Sequence, residues 1–303
     1  MKENLLQKVL KNPNSVEYID NDIPSYAKKY LDYSESFGLQ WNKFVKTQLD
    51  SYTNTKITED RLVRVLGDIS KIQGKIVLEI GCGAGRFTEI LLKYGAIVVS
   101  VDMSTAVVAN KKNFPITESH IIIQADMNDL PFKENIFDYI ICLGVLQHTP
   151  DTFKSIDNSI KFLKMEGTYV CDHYTHTVSY YTKTTYLFRK HLAQFNKEEK
   201  FEKINSLFNL FFPLHKVVRK LYPLQILLSR ISPIHVYFHA YPELSLDHQR
   251  EWALLDTHDS LADPYKRHLS KSALRKYLKI HNYKTQFLEY GGNGIEARFI
   301  RSV

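Results

Sequence analysis

The chain has 303 residues, with 40 Lys and Arg against 33 Asp and Glu, a formal net charge of +7 and 13% aromatic residues. That length suits one large domain, or a core carrying an inserted subdomain. Its three cysteines, Cys82, Cys142 and Cys171, are widely spaced with no C-x-x-C pair, which argues against a disulfide framework or a bound metal and fits a reduced, cytoplasmic protein. The first residues do not read as a signal peptide, and no apolar run reaches membrane-spanning length.

In chain order, residues 1–73 are the least regular. Phe37, Trp41 and Phe44 fall on one face of a helix within residues 32–53. An apolar strand, Val77-Leu78-Glu79-Ile80, then runs into Gly81-Cys82-Gly83-Ala84-Gly85, and a helix over 86–93 follows directly. The glycines let the backbone turn tightly and bring its amides against a ligand. A dinucleotide fingerprint reads G-x-G-x-x-G, but here the sixth position is Arg86 and the third glycine arrives one residue early. Glu79 at the strand end would repel a phosphate and attract a cation. The loop therefore points to the sulfonium cofactor S-adenosylmethionine more than to a dinucleotide, with a plain strand-to-helix turn as the alternative.

A second strand, Ala96–Val101, ends at Asp102-Met103-Ser104, and an acid at such a tip holds ribose hydroxyls. A third, His120–Ile123, leads to Gln124-Ala125-Asp126-Met127, where a carboxylate can accept from an adenine amino group and a methionine can pack on the ring. The fourth, Phe137–Cys142, leads to Leu143-Gly144-Val145-Leu146-Gln147-His148-Thr149-Pro150-Asp151, and the fifth, Gly167–Cys171, ends at Asp172-His173-Tyr174. Apolar strands alternating with amphipathic helices predict a parallel, doubly wound sheet that binds ligands at its strand C-termini.

Five segments in this order resemble class I S-adenosylmethionine-dependent methyltransferases, in particular those found beside bacterial surface-glycan genes: Val77–Phe87, Val99–Ser104, Gln124–Phe132, Phe137–Asp151 and Ser159–Val170. Met165-Glu166-Gly167 stands where that family usually has Pro-Gly-Gly. The resemblance implies an α/β, Rossmann-like fold with a seven-stranded, mostly parallel sheet and helices on both faces. It places Glu79, Gly81, Cys82, Gly83 and Gly85 against the methionine half of the cofactor, Asp102 on the ribose, and Met103, Asp126 and Met127 around the adenine. The backbone of Leu143 would pass close by. For Met103 and Met127, core packing is the equal alternative. The family's "FG-x-QW" segment, here Phe37 to Trp41, folds toward the cofactor, so Gln40 and Trp41 would help close the site; simple docking of that helix is the alternative.

The divisions expected are an N-terminal helical segment over 1–73, a cofactor-binding core over 74–172, an inserted helical cap over 173–269 and a C-terminal return to the core over 270–303. In that return, a helix capped by Ser270 precedes a hairpin of strands near Lys284–Tyr290 and Ile295–Arg301. An insertion this long in a compact domain usually carries function. Residues 173–250 hold 11 Lys and Arg against 5 Asp and Glu, and Pro213, Pro223 and Pro233 divide them into short helices. Their charge suits an anionic small-molecule or glycan acceptor, a membrane surface or RNA, and their apolar faces suit a homodimer interface; a solvated basic face is the bland alternative. The segment Trp252–Tyr265 is similar to a "W-x-LLDT-x-D…P-x-Y" segment of the same glycan-associated methyltransferases, and the resemblance implies a substrate-side loop with Asp256 and Asp259 pointing into the cleft; a capped loop whose carboxylates bind backbone amides is the alternative.

Methyl transfer to a hydroxyl needs alignment and removal of a proton, and a histidine is the natural base. His173 is the first candidate, followed by His258 with Asp259; His148 lies at the same edge but can instead orient its loop. The fourth strand lacks the Asn-Pro-Pro-Tyr or Asp-Pro-Pro-Tyr of base methylation, there is no Pro-Cys nucleophile, and no RNA-binding fold is apparent. The expected reaction is O-methylation of a sugar, nucleotide-sugar or glycan precursor, with S-adenosylhomocysteine as co-product. The alternatives are methylation of a quinone-like or lipid-soluble acceptor, and a non-catalytic cofactor-binding regulator.

Overall fold

The structure is a computed structural model that describes residues 2–13, 17–26, 35–178 and 182–302. Met1, the 32–34 part of the expected aromatic segment and residues 179–181 of the expected insertion lie outside them. The chain divides into two compact units, one of residues 1–45, 58–175 and 267–303, the other of 46–57 and 176–266. The stretch 46–57, read from sequence as part of the N-terminal segment, thus groups with the second unit.

The first unit is built on one sheet. Its strands are β1 (Glu17–Ile19), β2 (Ile23–Ser25), β3 (Ile76–Ile80), β4 (Ile97–Asp102), β5 (His120–Gln124), β6 (Phe137–Cys142), β7 (Leu163–His173), β8 (Lys284–Gly291) and β9 (Gly294–Ile300). They lie in the order β1-β2-β5-β4-β3-β6-β7-β9-β8. The run from β5 to β7 is parallel, and β9 is antiparallel to both β7 and β8. Seven strands match the expected arrangement. The other two, β1 and β2, are a hairpin from the N-terminal segment, which was expected to be helical. Three-residue strands with a single parallel pair, Ser25 to Gln124, are too short to show a period in sequence.

Every residue of β3 is buried, as a central strand covered on both faces requires. Leu78 and Ile80 pack into one core with Val99, Val101 and Ile140, closed by Ile156 and Ile160 of α7 (Thr152–Ile160) and Leu274 and Leu278 of the C-terminal helix Lys271–Ile280. Val77 packs into the opposite core with Val98 and Ile141, under Leu62, Val65 and Leu66 of α4 (Ile57–Leu66) and Phe87, Ile90 and Leu91 of α5 (Arg86–Lys93). The period of two turns Glu79 to the same side as Val77, toward α5. Strand β7 is longer than expected. Its pairing with β6 jumps between Leu163 and Thr168, where Glu166 adopts φ +60° just before Gly167. That irregularity takes the place of the expected Pro-Gly-Gly turn.

The second unit is helical. It contains α3 (Asp50–Thr53), α8 (Thr185–Leu192), α9 (Lys197–Val218), α10 (Tyr222–Ile231) and α11 (Leu246–Ala262). Asn196 and Glu199 cap α9 reciprocally. This helix runs through Pro213, where the sequence predicted a break. Phe208 and Phe212, both just before that proline, bury against Ile234 and Ala253, so packing outweighs the missing backbone bond.

The expected loop at Trp252–Tyr265 is mostly the helix α11. Gln249, Trp252, Ala253, Leu255, Thr257, His258, Ser260 and Leu261 are all buried, so it is covered on several sides and shows no single apolar stripe. Nor does Asp256 reach into an open cleft. It accepts hydrogen bonds from Gln48 Nε2 (3.0 Å), Trp252 Nε1 (3.1 Å) and the Tyr237 hydroxyl, all within this unit. Asp256→Ala leaves these donors without their acceptor. It is expected to lower stability by about 2–3 kcal/mol, read by chemical denaturation.

Candidate functional site

The glycine loop sits where β3 crosses to α5, and the strand order reverses beside it, between β3 and β6. Open α/β sheets bind ligands at such switch points. Gly81 adopts φ +71°, and a Cβ there would fall 2.2 Å from Val145 Cγ2, so only glycine fits. Gly83 faces Trp41, whose ring would lie 3.0 Å from an added Cβ. Gly85 caps α5 against Phe114, while Cys82 is buried with Ile23, Val107 and Ile122. Burial drives the Cys82 thiol well above its ordinary pKa, so it behaves as a small apolar side chain.

Glu79 is the central acid. Its Oε2 accepts from Thr88 Oγ1 (2.5 Å) and Ser100 Oγ (2.9 Å). Its other oxygen, Oε1, is buried without a hydrogen-bond partner. Burial raises the carboxyl to about 7, despite the two hydroxyls that lower it. An acid with one oxygen held and the other open suits the ammonium end of an amino-acid ligand.

Asp102 ends β4. Its Oδ2 accepts from Gly83 N (3.0 Å), and its Oδ1 from Ser104 N (2.8 Å) and Ser104 Oγ (2.7 Å). Burial raises its pKa. Three donors leave capacity on a carboxylate with about four acceptor positions, and this acid also holds the glycine loop in place.

The remaining cofactor candidates divide. The Met103 carbonyl accepts from Gln124 Nε2 (3.2 Å) and its side chain is half-buried. Asp126 turns its Oδ1 back to Asn128 N (2.9 Å) and Nδ2 (3.1 Å). Met127 and Leu143 are buried in the two cores, which matches the core-packing alternative for Met127. The helix α2 (Glu35–Lys43) ties three of these loops together. Gln40 is buried on it, Trp41 covers Gly83, Asn42 Nδ2 donates to Thr105 O (3.0 Å), and the Phe37 ring meets His148 edge-on at 5.4 Å.

Among the histidines, His173 does not have the geometry of a base. Its Nδ1 donates to Tyr174 O (2.8 Å) and its Nε2 accepts from Thr152 Oγ1 (2.9 Å). Burial lowers its pKa, and both nitrogens are already used in joining β7 to α7. His173→Gln is therefore expected to cost about 1–3 kcal/mol of stability and to leave the pH profile of kcat unshifted, read by thermal unfolding and by rates from pH 6 to pH 9. His258 belongs to the second unit. It donates through Nε2 to Asn205 Oδ1 (2.9 Å) and stacks on Phe201 at 4.3 Å, beside the half-buried Asp259. His148 lies in a short 3₁₀ turn, Leu146–His148, its ring packed between Phe37 and Tyr174.

Sequence reasoning passed over two features. Gln147, next to His148, is fully buried with both amide atoms unpartnered. Asp172 accepts from Gly144 N (2.7 Å) and pairs with Arg61, fixing the loop after β6. The unpartnered amide leaves no trace in composition, and the Arg61–Asp172 pair spans too much sequence to be read from spacing.

In the second unit, Lys183, Lys266 and His235 lie near one another and near Arg189 and Arg230. Burial lowers all three, Lys266 to about 8 and His235 to about 3, and neighbouring cations lower them further. Asp259 and Asp263 offset Lys266 only in part. That concentration of positive charge would favour an anionic group.

Residues 78–171 match the family model described as a methyltransferase domain. The ubiquinone biosynthesis O-methyltransferase of Coxiella burnetii is similar, 38% identical over 98 residues, which are 32% of this chain and 42% of that protein. That of Haemophilus ducreyi is 33% identical over 101 residues, 31% and 43% of the two chains. The chain thus spans about two fifths of the length of these relatives. Among solved structures, magnesium protoporphyrin IX methyltransferase from Synechocystis, with bound S-adenosylhomocysteine, covers 89% of this chain and 97% of its own at 14% identity and a TM-score of 0.49. A putative S-adenosylmethionine-dependent methyltransferase from Methanococcus maripaludis covers 91% and 96% at 14% identity and a TM-score of 0.47. Residues 78–171 are thus similar to a methyltransferase domain, and the sheet has the open α/β strand order of the class I fold with its switch point beside the glycine loop.

Proposed function

We propose that the chain is an S-adenosylmethionine-dependent O-methyltransferase acting on an apolar, quinone-like acceptor. The observation that carries the cofactor half is the buried, half-satisfied carboxylate of Glu79 beneath a glycine loop at the switch point of the sheet. The acceptor half is supported by the names of the relatives that match the core and by the aromatic content of the second unit. When bound, the cofactor supplies a sulfonium methyl group open to in-line attack. Glu79 would hold its ammonium group and Asp102 its ribose hydroxyls, with Trp41 closing over Gly83. His148 is the residue we assign to take the acceptor's proton on a ring nitrogen, with Gln147 orienting the acceptor beside it.

A second reading, transfer to a phosphorylated sugar, is favoured by the cationic cluster of Lys183 and Lys266. The test supplies methyl-labelled S-adenosylmethionine with a set of catechols and quinols and, separately, nucleotide-sugars. Label on a phenolic oxygen supports the first reading, and label on a sugar replaces it with the second. Saturable cofactor binding with no transfer to any acceptor would identify a non-catalytic binding protein.

A further inference from the structure

Helices α9 and α10 form a hairpin within the second unit, and its inner side is settled. Ile204, Phe208, Phe212 and His215 of α9 are buried, and Gln225 Nε2 of α10 donates to His215 Nδ1 (2.9 Å), pinning the two helices together. The outer side is apolar and bare. On α9, Leu210, Leu214 and Val217 recur at spacings of four and three, one helical stripe; on α10, Leu224, Leu227 and Ile231 do the same. Leu221 and Tyr222 continue the surface across the turn. Val217 is 79% exposed and Leu227 62%, whereas single exposed leucines elsewhere need no explanation.

Charge identifies what covers this face. Residues 203–242 contain no Asp or Glu, but they contain Lys203, Lys216, Arg219, Lys220 and Arg230. Lys216 and Lys220 are exposed and Arg219 half-exposed, around the turn between the stripes. A second copy docked by the same face would bring these cations together without a carboxylate to meet them. An anionic lipid surface answers both features, taking apolar side chains below its headgroups and lysine and arginine among them. No helix among the described residues is long and apolar enough to cross a membrane, so the contact is one of lying on the surface.

We propose that the α9–α10 hairpin is a membrane-docking surface selective for anionic lipids. The inference does not depend on methyl transfer. The test uses the full chain, sedimented with phosphatidylcholine vesicles with or without about one third phosphatidylglycerol. Binding is expected to the anionic vesicles and to weaken with salt. Each basic residue at such a surface contributes about a factor of five, so K216Q/R219Q/K220Q should bind about 100-fold more weakly. The L214D/L227D variant should lose binding altogether. The variants alter exposed positions apart from the half-exposed Arg219, and an unchanged thermal midpoint and retained S-adenosylmethionine binding will show that they fold. Equal sedimentation with neutral and anionic vesicles, or none with either, overturns the proposal. So does a dimer in light scattering that L214D/L227D converts to monomer without lipid, since a second copy would then be the occupant.

Discussion

Asp102→Ala is expected to weaken S-adenosylmethionine binding by about 10- to 100-fold, measured by calorimetric titration of the full chain. Two losses combine. The carboxylate no longer accepts from a ribose hydroxyl, and Gly83 N and the Ser104 backbone and hydroxyl lose their common acceptor. Asp102→Asn keeps one carbonyl oxygen to accept, and should lie between the variant and the natural protein. The glycine loop is also held by Gly81 N and Cys82 N, which both donate to Val101 O, so the fold should survive. Unchanged affinity in Asp102→Ala would remove this acid from the cofactor site.

The second large effect concerns Glu79 and pH. Burial holds its carboxyl at about 7 in the folded chain, above the value of 4.5 it has when unfolded. The folded state therefore keeps a proton that the unfolded state releases. The stability this contributes is full below about pH 4.5, is lost as pH rises through about 7, and changes no further above. Glu79→Gln removes the ionisation. Without cofactor it should be more stable than the natural protein at pH 8, by roughly 1–3 kcal/mol, and equally stable near pH 4.5. Cofactor binding should run the other way. An ammonium group prefers the ionised acid, so affinity rises through the same window in the natural protein and stays flat and about tenfold weaker in Glu79→Gln. Thermal midpoints and titrations at four pH values read both curves. Parallel pH curves for the two proteins would mean that Glu79 does not meet the cation.

Much of the first unit is legible in the sequence because its signals are local. The helix over 86–93, the strand Phe137–Cys142, the Ser270 cap and the C-terminal hairpin fall where period, glycine and capping residues place them. What escapes is what neighbours decide. Pro213 reads as a break, yet α9 continues because Phe208 and Phe212 are anchored. Buried on several sides, α11 has no polar face to mark it as a helix. The hairpin of β1 and β2 is too short for a pattern. In the site, position along a strand identifies Glu79 and Asp102 as acids at the right edge. Position cannot reveal that His173 spends both nitrogens on Tyr174 and Thr152, or that the amide of Gln147 is left open.

The placement of the second unit within the chain bears on synthesis. Strand β7 is completed before residues 176–266 are made, but its outer partner, β9, comes only after them. Through that interval the backbone donors and acceptors of β7 along Thr168 to His173 lack the strand that later pairs with them. An unpaired, apolar sheet edge is the usual template for aggregation. Removing residues 267–303, which supply β9, would leave that edge of β7 permanently unpaired, and the expected outcome is loss of soluble protein, read by the fraction left in the supernatant after lysis.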